Sequence, residues 1–326
     1  MATVLTDLLH LIIALSPGLI GVLLGAALAL IFKRDEPYLL CVLAGGGGIF
    51  GYIMIAVLIR VLDLLAIQVF NVRLIAGLMM VLLMAIWFLI VVLFKAKSSA
   101  RGSSELFTSQ RLRLSPARFI IVSMTVVVVF VGLYQVVLTP VMGWDSLGLW
   151  TTWAERFIAF DTKPSGFYGK TRAEFGQFPR SHPRHPPTVY HLSAFIGYAL
   201  HKTEVIRGWL VHWTFIYFCM GAVIVGFVLQ TSNNFSLGIF SFYAFFTLPL
   251  LENHSIQVGY ADFWMAAIVT TSSAFVALAI YHRLRWLMIL SLGFFGPAFG
   301  NKKHWPFLCL RSTYSSFGCD AWLQET

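Results

Sequence analysis

The chain has 326 residues, 58% of them hydrophobic and only 11% charged. That proportion excludes a water-soluble globular domain, which carries about a quarter charged residues, and it describes a polytopic membrane protein. The net charge of +9 does not point to a nucleic-acid partner, because the basic residues fall in short loops between apolar runs and form no basic domain.

A bilayer core of about 30 Å takes roughly 20 apolar residues to cross as a helix. Spans are therefore expected at Leu8–Phe32, Tyr38–Ile59, Leu74–Phe94, Phe119–Leu138, Val205–Leu229, Phe235–Leu251 and Phe263–Tyr281, with a shorter one at Trp286–Phe299. The first run has neither a basic leader nor a small-residue cleavage site, so it reads as a retained span. Inside the second, Gly45–Gly48 has two readings: a helix break of the kind transporters use, or a place where helices approach closely. Cys41 and Cys219 lie in spans and Cys309 and Cys319 in the tail, with no CxxC spacing. Neither a disulfide framework nor a zinc site is expected.

Orientation follows from the positive-inside bias. Residues 95–118 carry six basic side chains and one acid, which makes that loop cytoplasmic. The span after it then delivers the polar stretch Gly143–Tyr190 to the outer face, and Lys33-Arg34 falls inside. The apolar piece Thr188–Leu200 is too short to cross. Read as a re-entrant or interfacial helix, it sends His282–Arg285 inside and the loop 252–262 outside, so Asp145 and Asp262 share one face. The expected fold is an all-α transmembrane bundle of about eight spans plus that interfacial helix. Residues 1–118 form a three-span module with a basic cytoplasmic loop, 119–300 a core with the outer loop 140–190, and 301–326 an atypical tail.

The outer loop holds most of the chemistry. Gly143-Trp144-Asp145-Ser146 opens it and Ser181-His182-Pro183-Arg184-His185-Pro186-Pro187 closes it. Each signal also has a plain structural reading. Asp145 or Ser146 can cap a helix over Leu147–Phe160, with Trp144, Trp150 and Trp153 as interfacial anchors. His182 and His185 among prolines can be a stiff linker, and Asp262 can cap the span that follows it.

The order of these segments resembles the GT-C superfamily of integral-membrane glycosyltransferases, which includes the dolichyl-phosphate-mannose and aminoarabinose transferase families. The matching residues are Trp144-Asp145, then His182-Pro183-Arg184-His185-Pro186-Pro187, then Tyr260-Ala261-Asp262, and the likeness runs from about Phe119 to Phe299. It departs from the pattern at Asp145-Ser146, where many members carry two acids, and in having fewer spans and no soluble outer domain.

The resemblance implies sugar transfer from a polyprenyl-phosphate carrier to a glycan, lipid or protein acceptor at the outer face of a bacterial cytoplasmic membrane. Asp145 is implied as general base, with its pKa drawn upward by desolvation. Asp262 is implied to hold the acceptor or, with Asp145, a divalent cation; whether a metal takes part is left open. Arg180, His182, Arg184 and His185 are the phosphate-binding candidates, since guanidinium groups match phosphate oxygens bidentately; a basic face attracted to anionic lipid is the other reading. Trp144 and Trp150 can stack on sugar or belt the interface.

After Gly300 the apolar pattern stops. A one-base shift in codons for Gly300–Phe307 can spell the Thr-Lys-Asn-x-Gly loop that follows a span in the resembling families, so the tail is expected to be a frameshift product of a truncated transferase. Two other functional classes stand beside the enzyme, a secondary transporter and a noncatalytic membrane scaffold.

Overall fold

Backbone groups in a bilayer core have no water to bond, so long apolar runs satisfy them as helices. The protein, seen here in a computed structural model, is described at residues 2–32, 37–65, 67–100, 188–200, 211–248 and 261–299, with helical residues also at 120, 123–124, 126–127, 154–155 and 157–158. Eight helices occur among the described residues: α1 (Ala2–Phe32), α2 (Pro37–Leu64), α3 (Val72–Ala100), α4 (Thr188–Ala199), α5 (Val211–Ser232), α6 (Phe235–Thr247), α7 (Ala261–Tyr281) and α8 (Arg285–Phe299). No strand is found among those residues.

Five of the helices, α1, α2, α3, α5 and α7, are long and apolar enough to cross a membrane, which marks the chain as an integral membrane protein. The expected limits at Leu8–Phe32 and Phe263–Tyr281 coincide with the apolar stretches of α1 and α7. Of the expected span Phe119–Leu138 only scattered helical residues are described. Helix α6 ends at Thr247, short of the expected Leu251, because Leu248 precedes Pro249 and takes an extended backbone with φ −67° and ψ 113°. At 13 residues it is about 20 Å long.

Helix α2 lies at the centre. It runs unbroken through Gly45–Gly48, so the tetraglycine does not break the helix; it serves close packing. Successive residues of a helix point about 100° apart, and the four glycines face three neighbours. A Cβ on Gly45 would stand 2.5 Å from the Cys219 carbonyl oxygen of α5, and one on Gly46 2.6 Å from the Phe275 ring of α7. One on Gly47 would collide with the Gly21 carbonyl of α1. Gly51 likewise fits against the Pro17 carbonyl and Gly25 against that of Leu43. Pro17 sits inside α1 without ending it. Its missing N–H would leave the Ile13 carbonyl without its helical donor, and the Ser16 hydroxyl donates to that oxygen instead, at 2.7 Å.

The turns make neighbours antiparallel. Asn71 caps α3 by accepting from the Leu74 amide at 3.0 Å. Asn234 caps α6, accepting from the amides of Ser236 at 3.0 Å and Leu237 at 3.3 Å, while Asn233 before it takes the left-handed φ of 48°. Helix α7 closes in a Schellman turn: Leu284 donates to Ala279 at 2.9 Å, and Arg283 occupies the left-handed position with φ 54°.

These turns sort the molecule into two ends. At one end Phe32 stacks on Trp286 with centroids 5.3 Å apart, and Gln230 meets His282 at 3.3 Å. Lys95, Arg283 and Arg285 lie at that end too, so it is basic. The other end holds the α2–α3 connection, α4 and the first turns of α5 and α7.

Candidate functional site at the end opposite the basic turns

Three separate stretches converge at this end, and aromatic rings join them. Phe70, from the α2–α3 connection, meets Phe157 edge to face at 5.4 Å and Tyr198 of α4 at 5.2 Å. Phe157 also lies 4.9 Å from His191 of α4. Ala154 and Phe157 are fully buried and helical, four described points of the expected helix Leu147–Phe160 being residues 154, 155, 157 and 158. Residues 154–155 and 157–158 therefore bring a helical piece into the core.

Helix α4 spans 12 residues, about 18 Å, which is short of a crossing. Val189, His191, Leu192, Ser193, Ala194, Phe195, Ile196 and Ala199 are all buried, so protein surrounds it on more than one side. His191 fixes it to α2 through a hydrogen bond with the Ala56 backbone. Burial, with the nearby Arg60 guanidinium adding to it and the Ala56 bond opposing, pushes His191 down from 6.5 to about 3. It is a neutral imidazole at physiological pH.

Deeper lies a second cluster. Tyr52 of α2 stands 6.0 Å from His212 of α5 and 6.2 Å from Trp264 of α7, and His212 lies 5.8 Å from Trp264. The Tyr52 hydroxyl donates to the Ala14 carbonyl of α1 at 3.4 Å. Tyr217 of α5 donates to the Phe246 carbonyl at 3.2 Å, which ties in the end of α6. The indole N–H of Trp264 and the hydroxyls of Ser193, Thr214, Thr271 and Ser272 are buried and have no hydrogen-bond partner among the described residues.

Of the site residues read from sequence, Asp145, Trp144, Trp150, Arg180, His182, Arg184 and His185 lie outside the described residues, as do Trp153 and the tail 301–326. Asp262 is the second residue of α7, and only its backbone is described. Its position is at the end that holds Phe157 and α4. Sequence reasoning missed Arg60, His191, His212 and Trp264. The signal for Arg60 was present, a lone cation in the apolar run Ile53–Leu62, and that for His191 was its place one turn into the proline-led helix.

Among the described residues no three His, Cys, Asp or Glu side chains group as metal ligands. Comparison of the chain with protein-family models, with curated proteins and with solved structures found no match.

Proposed function

We propose that the protein is a membrane glycosyltransferase of the GT-C kind, moving a sugar from a polyprenyl-phosphate carrier to an acceptor on the outer side. The observation that carries this reading is the shared end. Phe157, twelve residues beyond Asp145, touches His191; His191 bonds Ala56 of α2; and Tyr52, one turn earlier in α2, touches Trp264, two residues beyond Asp262. On this reading residues 154–155 and 157–158 and the α7 start belong to one mouth, and the basic turns at the other end support a cytoplasmic face there, as the positive-inside rule requires.

A lipid-linked sugar arrives with its anomeric carbon already activated. Asp145 takes the proton of an acceptor hydroxyl as its oxygen attacks that carbon; the bond from the carbon to the phosphate oxygen breaks, and the phosphate leaves on its polyprenyl chain. Arg184 and His185, with Arg180 and His182 beside them, hold the departing phosphate, and Asp262 orients the acceptor. The reading routes no step through a divalent ion.

The test is Asp145→Asn in the purified full chain, assayed with a panel of polyprenyl-phosphate sugars. Loss of transfer with normal membrane insertion supports the enzyme. Unchanged transfer removes Asp145 from the chemistry, and loss of solute uptake instead supports a transporter.

A further inference from the structure

Arg60 is the one described basic residue of α2, and it sits near the end of an otherwise apolar span. An arginine there commonly extends along the lipid face to reach the headgroups. The neighbours of Arg60 do face lipid, with Leu58 43% and Val61 45% exposed. Arg60 does not follow them. It is half-buried and lies one helical turn beyond Ala56, on the stripe that continues from Tyr52. Ala56 is where His191 is bonded, and the guanidinium is close enough to act on that ring. His191 is in the first turn of α4, directly after His185-Pro186-Pro187. A cation from the first three helices is thus set near the first turn of α4.

The geometry points to Arg60 as a binding residue for a lipid-borne phosphate at the mouth formed by α2 and α4. Its neighbour is suited to this. The neutral imidazole of His191 adds no competing positive charge, and Phe157 packs against that ring at 4.9 Å. A guanidinium on a rigid helix offers its planar fork to phosphate with little ordering left to do. In a dry site such a charge-assisted contact is stronger than in water. Two lipids carry the required group, the polyprenyl-phosphate donor of the proposed transfer and an ordinary anionic headgroup, and the inference assigns the donor. It rests on the transferase reading, and it gives the first three helices a direct part in that site.

The full chain is reconstituted in phosphatidylcholine nanodiscs, and binding of polyprenyl phosphate, of the matching polyprenol and of phosphatidylglycerol is measured for the natural protein, Arg60→Gln and Arg60→Lys. Arg60→Gln is expected to weaken polyprenyl phosphate roughly ten- to hundredfold, the effect of one lost charge-assisted hydrogen bond, with polyprenol binding unchanged. Arg60→Lys should recover part of the loss, since it keeps the charge without the fork. Natural affinity in a folded Arg60→Gln overturns the inference while leaving the transferase reading intact. If Arg60→Gln does not fold, Arg60→Lys decides: a several-fold loss supports the contact, and unchanged affinity overturns it. Equal competition by phosphatidylglycerol, lost on substitution, moves the contact to a headgroup and overturns the donor assignment. A natural protein that ignores polyprenyl phosphate altogether removes both the transferase reading and this one.

Discussion

The tetraglycine of α2 allows a prediction with a definite sign. Replacing a helical glycine by alanine normally stabilises by up to about 1 kcal/mol, through backbone entropy. At Gly47 the new methyl would meet the Gly21 carbonyl of α1, and the reciprocal substitution at Gly21 would meet the Gly47 carbonyl. Both obstacles are backbone, which cannot rotate aside. The same interface shows the displacement required. A Cβ on Gly25 would stand 2.7 Å from the Leu43 carbonyl carbon, against the roughly 3.5–4.0 Å at which carbon atoms rest. The helices must therefore part by about 1 Å, and a gap of that size forfeits a quarter to a half of each dispersion contact along the interface. This is the most extensive helix pair among the described residues. Overpacking costs of about 1–3 kcal/mol then exceed the propensity gain.

Gly77 of α3 supplies the control, since a Cβ there meets nothing within 4 Å among the described residues. Gly47→Ala is expected to lower the midpoint of thermal unfolding in detergent, read by fluorescence-detected size exclusion, and Gly77→Ala to leave it equal or raise it. Two variants of identical chemistry should differ, with only Gly47→Ala losing stability. A Gly47→Ala protein as stable as the natural one would refute the packing of α1 on α2 described here.

Three further outcomes are expected. In a background without the four cysteines, a thiol at the exposed Gln68 should label from outside intact cells, and thiols at Lys95 and Arg283 only after permeabilisation; labelling of all three from one side would break the two-ended arrangement. Asn234→Ala should cost about 1 kcal/mol of stability through loss of the α6 cap, read as a lower unfolding midpoint with no change in insertion. His191 takes up its proton in the unfolded chain near 6.5 but in the folded one only near 3, so the unfolded state gains protons first, and stability is intact above about pH 6.5 and falls as pH drops toward 3. His191→Gln should flatten that acid-side decline in unfolding midpoints measured between pH 7 and 4, and an unchanged slope would assign the decline to other groups.

Much of the fold was legible in the sequence because the bilayer imposes a simple rule of length and apolarity. The apolar stretches of α1 and α7 could be read to the residue, since charged residues mark the ends of Leu8–Phe32 and Phe263–Tyr281, while the helices themselves begin at Ala2 and Ala261. Helix α4 was legible as a short element from its proline-led start and its length. The end of α6 was overlooked although Pro249 signalled it. Gly45–Gly48 could not be decided in one dimension, because a run without side chains suits a broken helix and a tightly packed one equally. Arg60 and His191 were passed over for a related reason: a lone arginine at a span end is ordinary, and only the positions of Ala56 and Phe157 distinguish it from a snorkelling one. Asp145, Arg180, His182, Arg184 and His185 stood out in the sequence as polar groups in an apolar chain, but they lie outside the described residues, and of Asp262 only the backbone is described.

Close packing and site placement are linked by one helix. α2 approaches α1, α5 and α7 through its glycines at mid-height, and this leaves its C-terminal half, from Tyr52 to Arg60, fixed relative to the first turns of α5 and α7. Tyr52, Ala56 and Arg60 recur every four positions and so form one stripe running toward the end that holds α4. Because the glycine contacts hold the helix in rotation as well as in distance, turning that stripe by one residue would require moving the whole girdle by about 100°. A methyl added at Gly46, which meets the Phe275 ring at 2.6 Å, is therefore expected to disturb the mouth from mid-bilayer: Gly46→Ala should alter labelling or ligand binding near Arg60 more than it alters the exposed flank of α3.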